Sequence, residues 1–192
     1  MFSARSLTPN NVSFTMSSEL PTRIQSNLRG ANVTIVAASY NAKYTDALVE
    51  NCLAEFEAAA PYVQVNVVRV PGAFEVPVMV KRAIADVENP PDTVIALGVI
   101  LRGSTAHADL IGTAITNQLL SIACDTLTPV VHEVLLLDNE EQAFARCVAA
   151  SLNRGREAAR TAIAMLELVE KQTGLSRIVQ RQRKIALTGS LL

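Results

Sequence analysis

Thr93-Val-Ile-Ala-Leu-Gly-Val-Ile-Leu-Arg-Gly-Ser-Thr-Ala-His107 opens as an unbroken apolar run and closes on a Gly-Ser-Thr segment that leads into a helical pattern. Thr93–Gly98 lacks the polar alternation of a half-exposed strand, so it is predicted to be a strand buried on both faces. Such a strand needs helices on each side, and the flanking sequence supplies them. Upstream, Asn32-Val-Thr-Ile-Val-Ala-Ala38 is a second short apolar run. Tyr44, Leu48, Cys52 and Phe56 then recur every four residues, with Asp46, Glu50 and Glu57 off that face, an amphipathic helix stopped by Pro61. Val63, Val65 and Val67 alternate with Gln64 and Asn66 as a strand closed by Pro71-Gly72, and residues 75–88 read as a helix punctuated by Asn89-Pro90-Pro91-Asp92. Downstream, residues 106–124 read as a helix, Pro129 to Leu136 as a fourth strand, and residues 140–151 and 155–170 as two closing helices. Four rounds of strand and helix predict an α/β fold with a parallel sheet and helices on both faces.

With 192 residues, 49% hydrophobic and 18% charged, the chain suits one domain with tails. This composition excludes a mainly disordered chain. No run approaches the roughly 20 apolar residues of a membrane span. A formal charge of −1 gives no overall bias toward nucleic acid, and the absence of tryptophan with 4% aromatics argues against a base-stacking platform. Three cysteines (Cys52, Cys124, Cys147) are few and odd in number, which suits a reducing, cytoplasmic setting; all lie on helical stretches and read as packing groups. Sparse charge implies that apolar surface is hidden, and a subunit interface is the natural place.

Charge is unevenly spread: residues 1–30 carry a net +2, residues 31–170 a net −8 and residues 171–192 a net +5. Residues 1–30 read as an arm, a loop or a strand borrowed by a neighbour; being rich in Ser, Thr and Arg and poor in acids, they also resemble an organelle transit peptide. Residues 31–170 form the folded domain. Residues 171–192 are a basic tail, read as a solvated helix extension or a polyanion contact.

In parallel sheets of this kind ligands bind beyond the carboxyl ends of the strands. There the sequence places Ser39-Tyr40-Asn41, Pro71-Gly-Ala-Phe-Glu75 and Gly98 to His107. Gly103-Ser104-Thr105 meets the start of a helix, where free N–H groups and the dipole favour a phosphate or carboxylate, although Ser and Thr are also ordinary caps. The Gly-x4-Gly-Lys-Ser/Thr phosphate loop is absent. His107, in the first turn, is held neutral by the dipole and charged by a bound phosphate, which suits proton transfer. Glu75 can accept from a polyol or an amine, or merely complement a helix dipole. Arg146, on an apolar helical stretch, offers a planar fork to phosphate or a salt bridge to Glu140 or Glu141. His132, within a strand, reads as a core or interface residue. Two histidines 25 positions apart and no Cys-x2-Cys pair argue against a dedicated zinc site, and there is no Gly-x-Ser-x-Gly elbow.

Taken together, Tyr40-Asn41, Val70-Pro-Gly-Ala-Phe-Glu-Val-Pro77, Leu97-Gly-Val-Ile-Leu-Arg-Gly-Ser-Thr-Ala-His107, Glu140-Glu-Gln-Ala-Phe-Ala-Arg146 and Asn153-Arg-Gly155 resemble the lumazine synthases of riboflavin biosynthesis. The resemblance implies a flavodoxin-like, three-layer α/β/α domain around a four-stranded parallel sheet, assembled as homopentamers with active sites between subunits. It implies condensation of 5-amino-6-(D-ribitylamino)uracil with 3,4-dihydroxy-2-butanone 4-phosphate, without metal or organic cofactor. Carried over by position, Tyr40 beside Asn41 stacks on the pyrimidine, while Ala73, Phe74 and Glu75 hold the ribityl chain and amine. Val99, Ile100 and Leu101 present backbone groups to the pyrimidine. Ser104 and Thr105 hold the phosphate with Arg146, and His107 is proton donor and acceptor. His132, Arg146 and Arg154 reach the pocket from a neighbour. The sequence departs from the common pattern at Ser39 (commonly Arg), His132 (commonly Phe) and Arg154 (commonly Lys), and its tail is longer. Two other readings are a non-catalytic flavin- or nucleotide-binding module and a structural shell protein; the first lacks a Gly-rich cradle after strand one, and intact Glu75, His107 and Arg146 argue against the second.

Overall fold

The structure, a computed structural model, describes residues 20–173. Four strands, β1 (Asn32–Ala38), β2 (Gln64–Val70), β3 (Thr93–Leu101) and β4 (Val130–Leu137), form one sheet in the order β2-β1-β3-β4. Every neighbouring pair is parallel. The two apolar runs that carry no polar alternation are the two central strands. Val33, Ile35 and Ala37 of β1 with Ile95 and Leu97 of β3 enter one core; Val36 and Ala38 with Val94 and Ala96 enter the other. Full burial of such aliphatic side chains is worth about 1.5–3 kcal/mol each. The centre of the sheet is therefore the most strongly specified part of the fold.

Helices α1 (Ala42–Ala59) and α5 (Arg154–Thr173) cover the first face, through Leu48, Cys52 and Phe56 of α1 and Ala159, Ala162 and Ile163 of α5. Helices α2 (Val76–Ile84) and α3 (His107–Thr126) cover the second, through Val76, Val80, Ile115 and Leu119. The result is the three-layer α/β/α sandwich of flavodoxin type that the resemblance implied. Helices α1 and α5 meet so closely that a Cβ on Gly155 would stand 2.2 Å from the Leu48 carbonyl oxygen. No side chain fits there.

Several boundaries differ from expectation, four of them for a clear local reason. The helix predicted over 75–88 is a single 3-10 turn, Ala73–Glu75, followed by α2, which ends at Ile84. Asp86 Oδ1 accepts from the backbone N–H groups of Glu88 and Asn89 (2.9 and 3.2 Å), a side-chain turn that replaces helix bonding. β3 runs on to Leu101 because β4 pairs with it as far as Leu137. Pro129, having no N–H, stays outside β4 and lends only its carbonyl to Val94 N (2.9 Å). The helix predicted over 140–151 is the short α4 (Glu140–Ala143) and a π turn, Phe144–Val148. The buried Asn153 amide donates to the carbonyls of Cys147 (2.7 Å) and Ala149 (3.3 Å) and so takes over the end of that turn.

Cys52 and Cys147 pack in the core as expected, but Cys124 is exposed on α3. Of the predicted arm, residues 20–29 are irregular and lie on this chain's own body. Ser26 N donates to Ala59 O (2.8 Å) and Arg23 grips Glu55. Residues 1–19 and all of the tail from 174 lie outside the described residues.

Candidate active site

At the carboxyl end of the sheet, hydrogen bonds knit three strand exits together. Ser39 N donates to Val70 O (2.7 Å) and Tyr40 N to Pro71 O (3.0 Å), fastening the turn after β1 to the turn after β2. Asn41 takes up left-handed backbone angles (φ 57°, ψ 43°), which asparagine tolerates better than most residues. Its Nδ2 donates to Val99 O (2.8 Å) and ties the same turn to β3. Tyr40 is left 74% exposed above this knot. The 3-10 turn that follows Pro71-Gly72 seats Ala73 against the sheet end. A Cβ on Gly98 would lie 3.6 Å from the Cβ atoms of both Ala38 and Ala73. Phe74 is 64% exposed, and Glu75 Oε2 accepts from Gly72 N (3.0 Å), which fixes one carboxylate oxygen and leaves the other for a ligand.

Val99, Ile100 and Leu101 are the last three residues of β3, with the Val99 carbonyl committed to Asn41. The chain then passes through Gly103, Ser104 and Thr105, all exposed, into α3. Neither hydroxyl caps that helix. Ala106 holds the N-cap position without a side-chain bond, and the nearest substitute is Thr105 Oγ1, 3.4 Å from His107 N. The N-terminus of a 20-residue helix thus faces outward beside two exposed hydroxyl-bearing residues and the exposed His107 ring. It can receive an anion next to a proton carrier.

The other expected site residues stand apart from this rim. His132 pairs with Ala96, two residues before Gly98 along β3. Its Nδ1 accepts from Val134 N (3.1 Å), so Nε2 carries the proton and donates to Thr116 Oγ1 (2.8 Å), which donates to Gly112 O (2.9 Å). Burial pushes its pKa down, in keeping with a neutral ring. Arg146 sits half-buried in the π turn. Of its two expected partners, Glu140 or Glu141, Glu140 instead accepts from the Tyr44 hydroxyl (3.0 Å) and lies 3.8 Å from Lys43 Nζ. Arg154 pairs with Glu157 at 2.5 Å. Among the described residues no group of three His, Cys, Asp or Glu side chains is arranged to hold a metal ion, and no helix is long and apolar enough to cross a membrane.

The 6,7-dimethyl-8-ribityllumazine synthase family model matches residues 30–170. The chain belongs to that family. A 6,7-dimethyl-8-ribityllumazine synthase 1 of Rhodopseudomonas palustris is 36% identical over 151 residues, covering 77% of this chain and 91% of its own. A 6,7-dimethyl-8-ribityllumazine synthase of Chlorobium phaeobacteroides is 40% identical over 143 residues, 73% of this chain and 90% of its own. One of Desulfotalea psychrophila is 32% identical over 154 residues, 79% and 98% respectively.

In this lumazine synthase family member, two charged residues were not singled out by sequence reasoning. Burial pushes the Glu133 carboxyl up to about 8, against a partial pull from Arg154 and Arg146. A glutamate inside the apolar run Val130-Val-His-Glu-Val-Leu-Leu-Leu137 was the visible signal. Arg102 grips Asp138 with one guanidinium nitrogen and Asp109 with the other (2.5 Å). Nothing in the linear sequence ties those three together.

Proposed function

We propose that the rim formed by Tyr40, Asn41, Ala73, Phe74, Glu75 and His107 is where 5-amino-6-(D-ribitylamino)uracil condenses with 3,4-dihydroxy-2-butanone 4-phosphate. The products are 6,7-dimethyl-8-ribityllumazine, inorganic phosphate and two waters. As a member of its family the chain is a transferase of riboflavin biosynthesis. One observation carries the reading. An aromatic ring, a carboxylate, an imidazole and a helix N-terminus free of side-chain caps share the carboxyl end of one sheet, on turns tied by hydrogen bonds.

Tyr40 stacks on the pyrimidine, and Ala73, Phe74 and Glu75 hold the ribityl chain and its amine. Val99, Ile100 and Leu101 line the edge of the ring. Ser104, Thr105 and the first turn of α3 hold the phosphate with Arg146, whose fork keeps its charge at any working pH. His107 takes the proton released as the amine adds to the carbonyl and returns it to the departing oxygen. Most of the acceleration comes from holding two reactants in one orientation. His132, Arg146 and Arg154 act in a neighbouring subunit's pocket within a homopentamer. Leu110, Leu120 and Phe144, each more than half exposed in the single chain, supply apolar surface for such packing. Residues 31–170 form the catalytic domain between an arm and a basic tail, and the setting is cytoplasmic, in keeping with three free cysteines.

Mixing the purified protein with both substrates and following lumazine fluorescence tests the reading. Turnover is expected; tight flavin binding without turnover would replace it with a flavin-binding module, and large particles without turnover with a structural shell. His107→Ala slows turnover modestly, since positioning survives. Arg146→Ala chiefly raises KM for the phosphate substrate.

A further inference from the structure

The loop that carries Ser104, Thr105 and His107 is anchored at its base by a residue with no role in the scheme above. Arg102 N donates to Leu137 O (2.8 Å), which joins the exit of β3 to the exit of β4. Its guanidinium spans two carboxylates: Asp109 in the first turn of α3, at 2.5 Å, and Asp138 at the end of β4. Asp138 is itself held by Gln142, whose Nε2 donates to Asp138 Oδ2 (3.1 Å) and whose Oε1 accepts from Asp138 N (3.0 Å). Gln142 N donates to the capping Asn139 Oδ1 (2.9 Å). A continuous run of bonds therefore leads from the start of α3 through Arg102 to α4.

All three charged side chains are two-fifths to one-half exposed (41%, 50% and 53%), and exposed ion pairs of this kind contribute little to folding. What they alter is geometry and local field. A carboxylate in the first turn of a helix is drawn to the same N-terminal dipole that receives an anion, so a free Asp109 competes with phosphate. The planar fork of arginine can hold Asp109 and Asp138 together and offset both charges.

We propose that Arg102 is a positioning residue. It holds the Ser104–His107 loop and the first turn of α3 against the exit of β4, and it keeps two carboxylates from repelling the phosphate substrate. The inference rests on the phosphate reading given above.

Steady-state kinetics on the full-length protein, with each substrate varied in turn, tests it. Arg102→Gln should raise KM for the butanone phosphate about tenfold and leave KM for the pyrimidine and the thermal midpoint close to wild type. Arg102→Lys, which keeps the charge and loses the fork, should recover part of that loss. Adding Asp109→Asn to Arg102→Gln should lower the phosphate KM again, because the uncompensated carboxylate is gone. An unchanged phosphate KM beside an active wild type would overturn the inference alone. So would equal losses for both substrates together with a lower thermal midpoint, the mark of a merely structural role. A wild type that makes no lumazine would overturn the functional reading and this inference with it.

Discussion

Two glutamates face the layer of α1 and α5, and their carboxyls behave in opposite ways. Glu55, on α1, is 2% exposed yet held down to about 2. Arg23 reaches it through Nε and one terminal nitrogen (2.6 and 2.8 Å), and Arg160 Nε adds a third bond at 2.8 Å. Glu133, on β4, is pushed up to about 8. Of the two arginines whose charge reaches it, Arg154 is paired with Glu157, and the pull of both is outweighed by burial. Burial alone therefore does not set the state of a carboxyl; dedicated donors within the same chain do. The Glu55 knot is complete in one chain and straps residues 20–29 to the body. Among the described residues Glu133 has no such knot, and beside it the proposed function sets two arginines aside for a ligand.

The sharpest way to break this contrast is Glu55→Gln, which strands the nearly buried Arg160 guanidinium (14% exposed). It should cost about 3 kcal/mol in urea unfolding. The wild-type contribution has a clear pH sign. Because the folded value lies below the unfolded one, it is fully present above about 4.5 and is lost as pH falls toward about 2. The Gln variant should lack that acid-side slope.

Glu133→Gln should do the reverse. The folded chain keeps a proton that the unfolded chain has released, so wild-type stability declines as pH rises from about 4.5 to about 8. The variant should gain roughly 1–3 kcal/mol above that window and nothing below it, read from thermal midpoints across pH. A gain independent of pH would mean that Glu133 is simply a poorly packed side chain.

The smallest effect is expected for Arg23→Gln. Its side chain is 42% exposed, and Arg160 still holds Glu55. Stability should change less than in either glutamate variant. Limited proteolysis should nonetheless open residues 20–29 first, because this contact ties the strap to the body.

Much of this was legible in the residues themselves. Asn32–Ala38 is β1 to the residue, and the face of Tyr44, Leu48, Cys52 and Phe56 is the buried face of α1, because burial repeats with the period of the element that carries it. The rim was legible for a related reason. Each of its residues lies in the turn or first helical turn that follows a strand, and parallel strands all end on one side of the sheet. The end of α2 and the π turn were not, since each depends on one side-chain amide or carboxylate capturing a backbone group. The same holds for the ring of His132, sixteen residues from Thr116, and for the fork of Arg102, thirty-six from Asp138.

By itself, then, the amino-acid order determined the layers, the central strands and the turns on which the chemistry sits, because hydrophobic periodicity and turn residues act over a few neighbouring positions. Only the tertiary structure decided which charges meet. Strand register and helix packing bring Glu55 to Arg160 across 105 residues and leave Glu133 buried beside an Arg154 that pairs with Glu157. Electrostatic pairing is set by distances of a few ångström between residues far apart in the chain, and local pattern does not encode those distances.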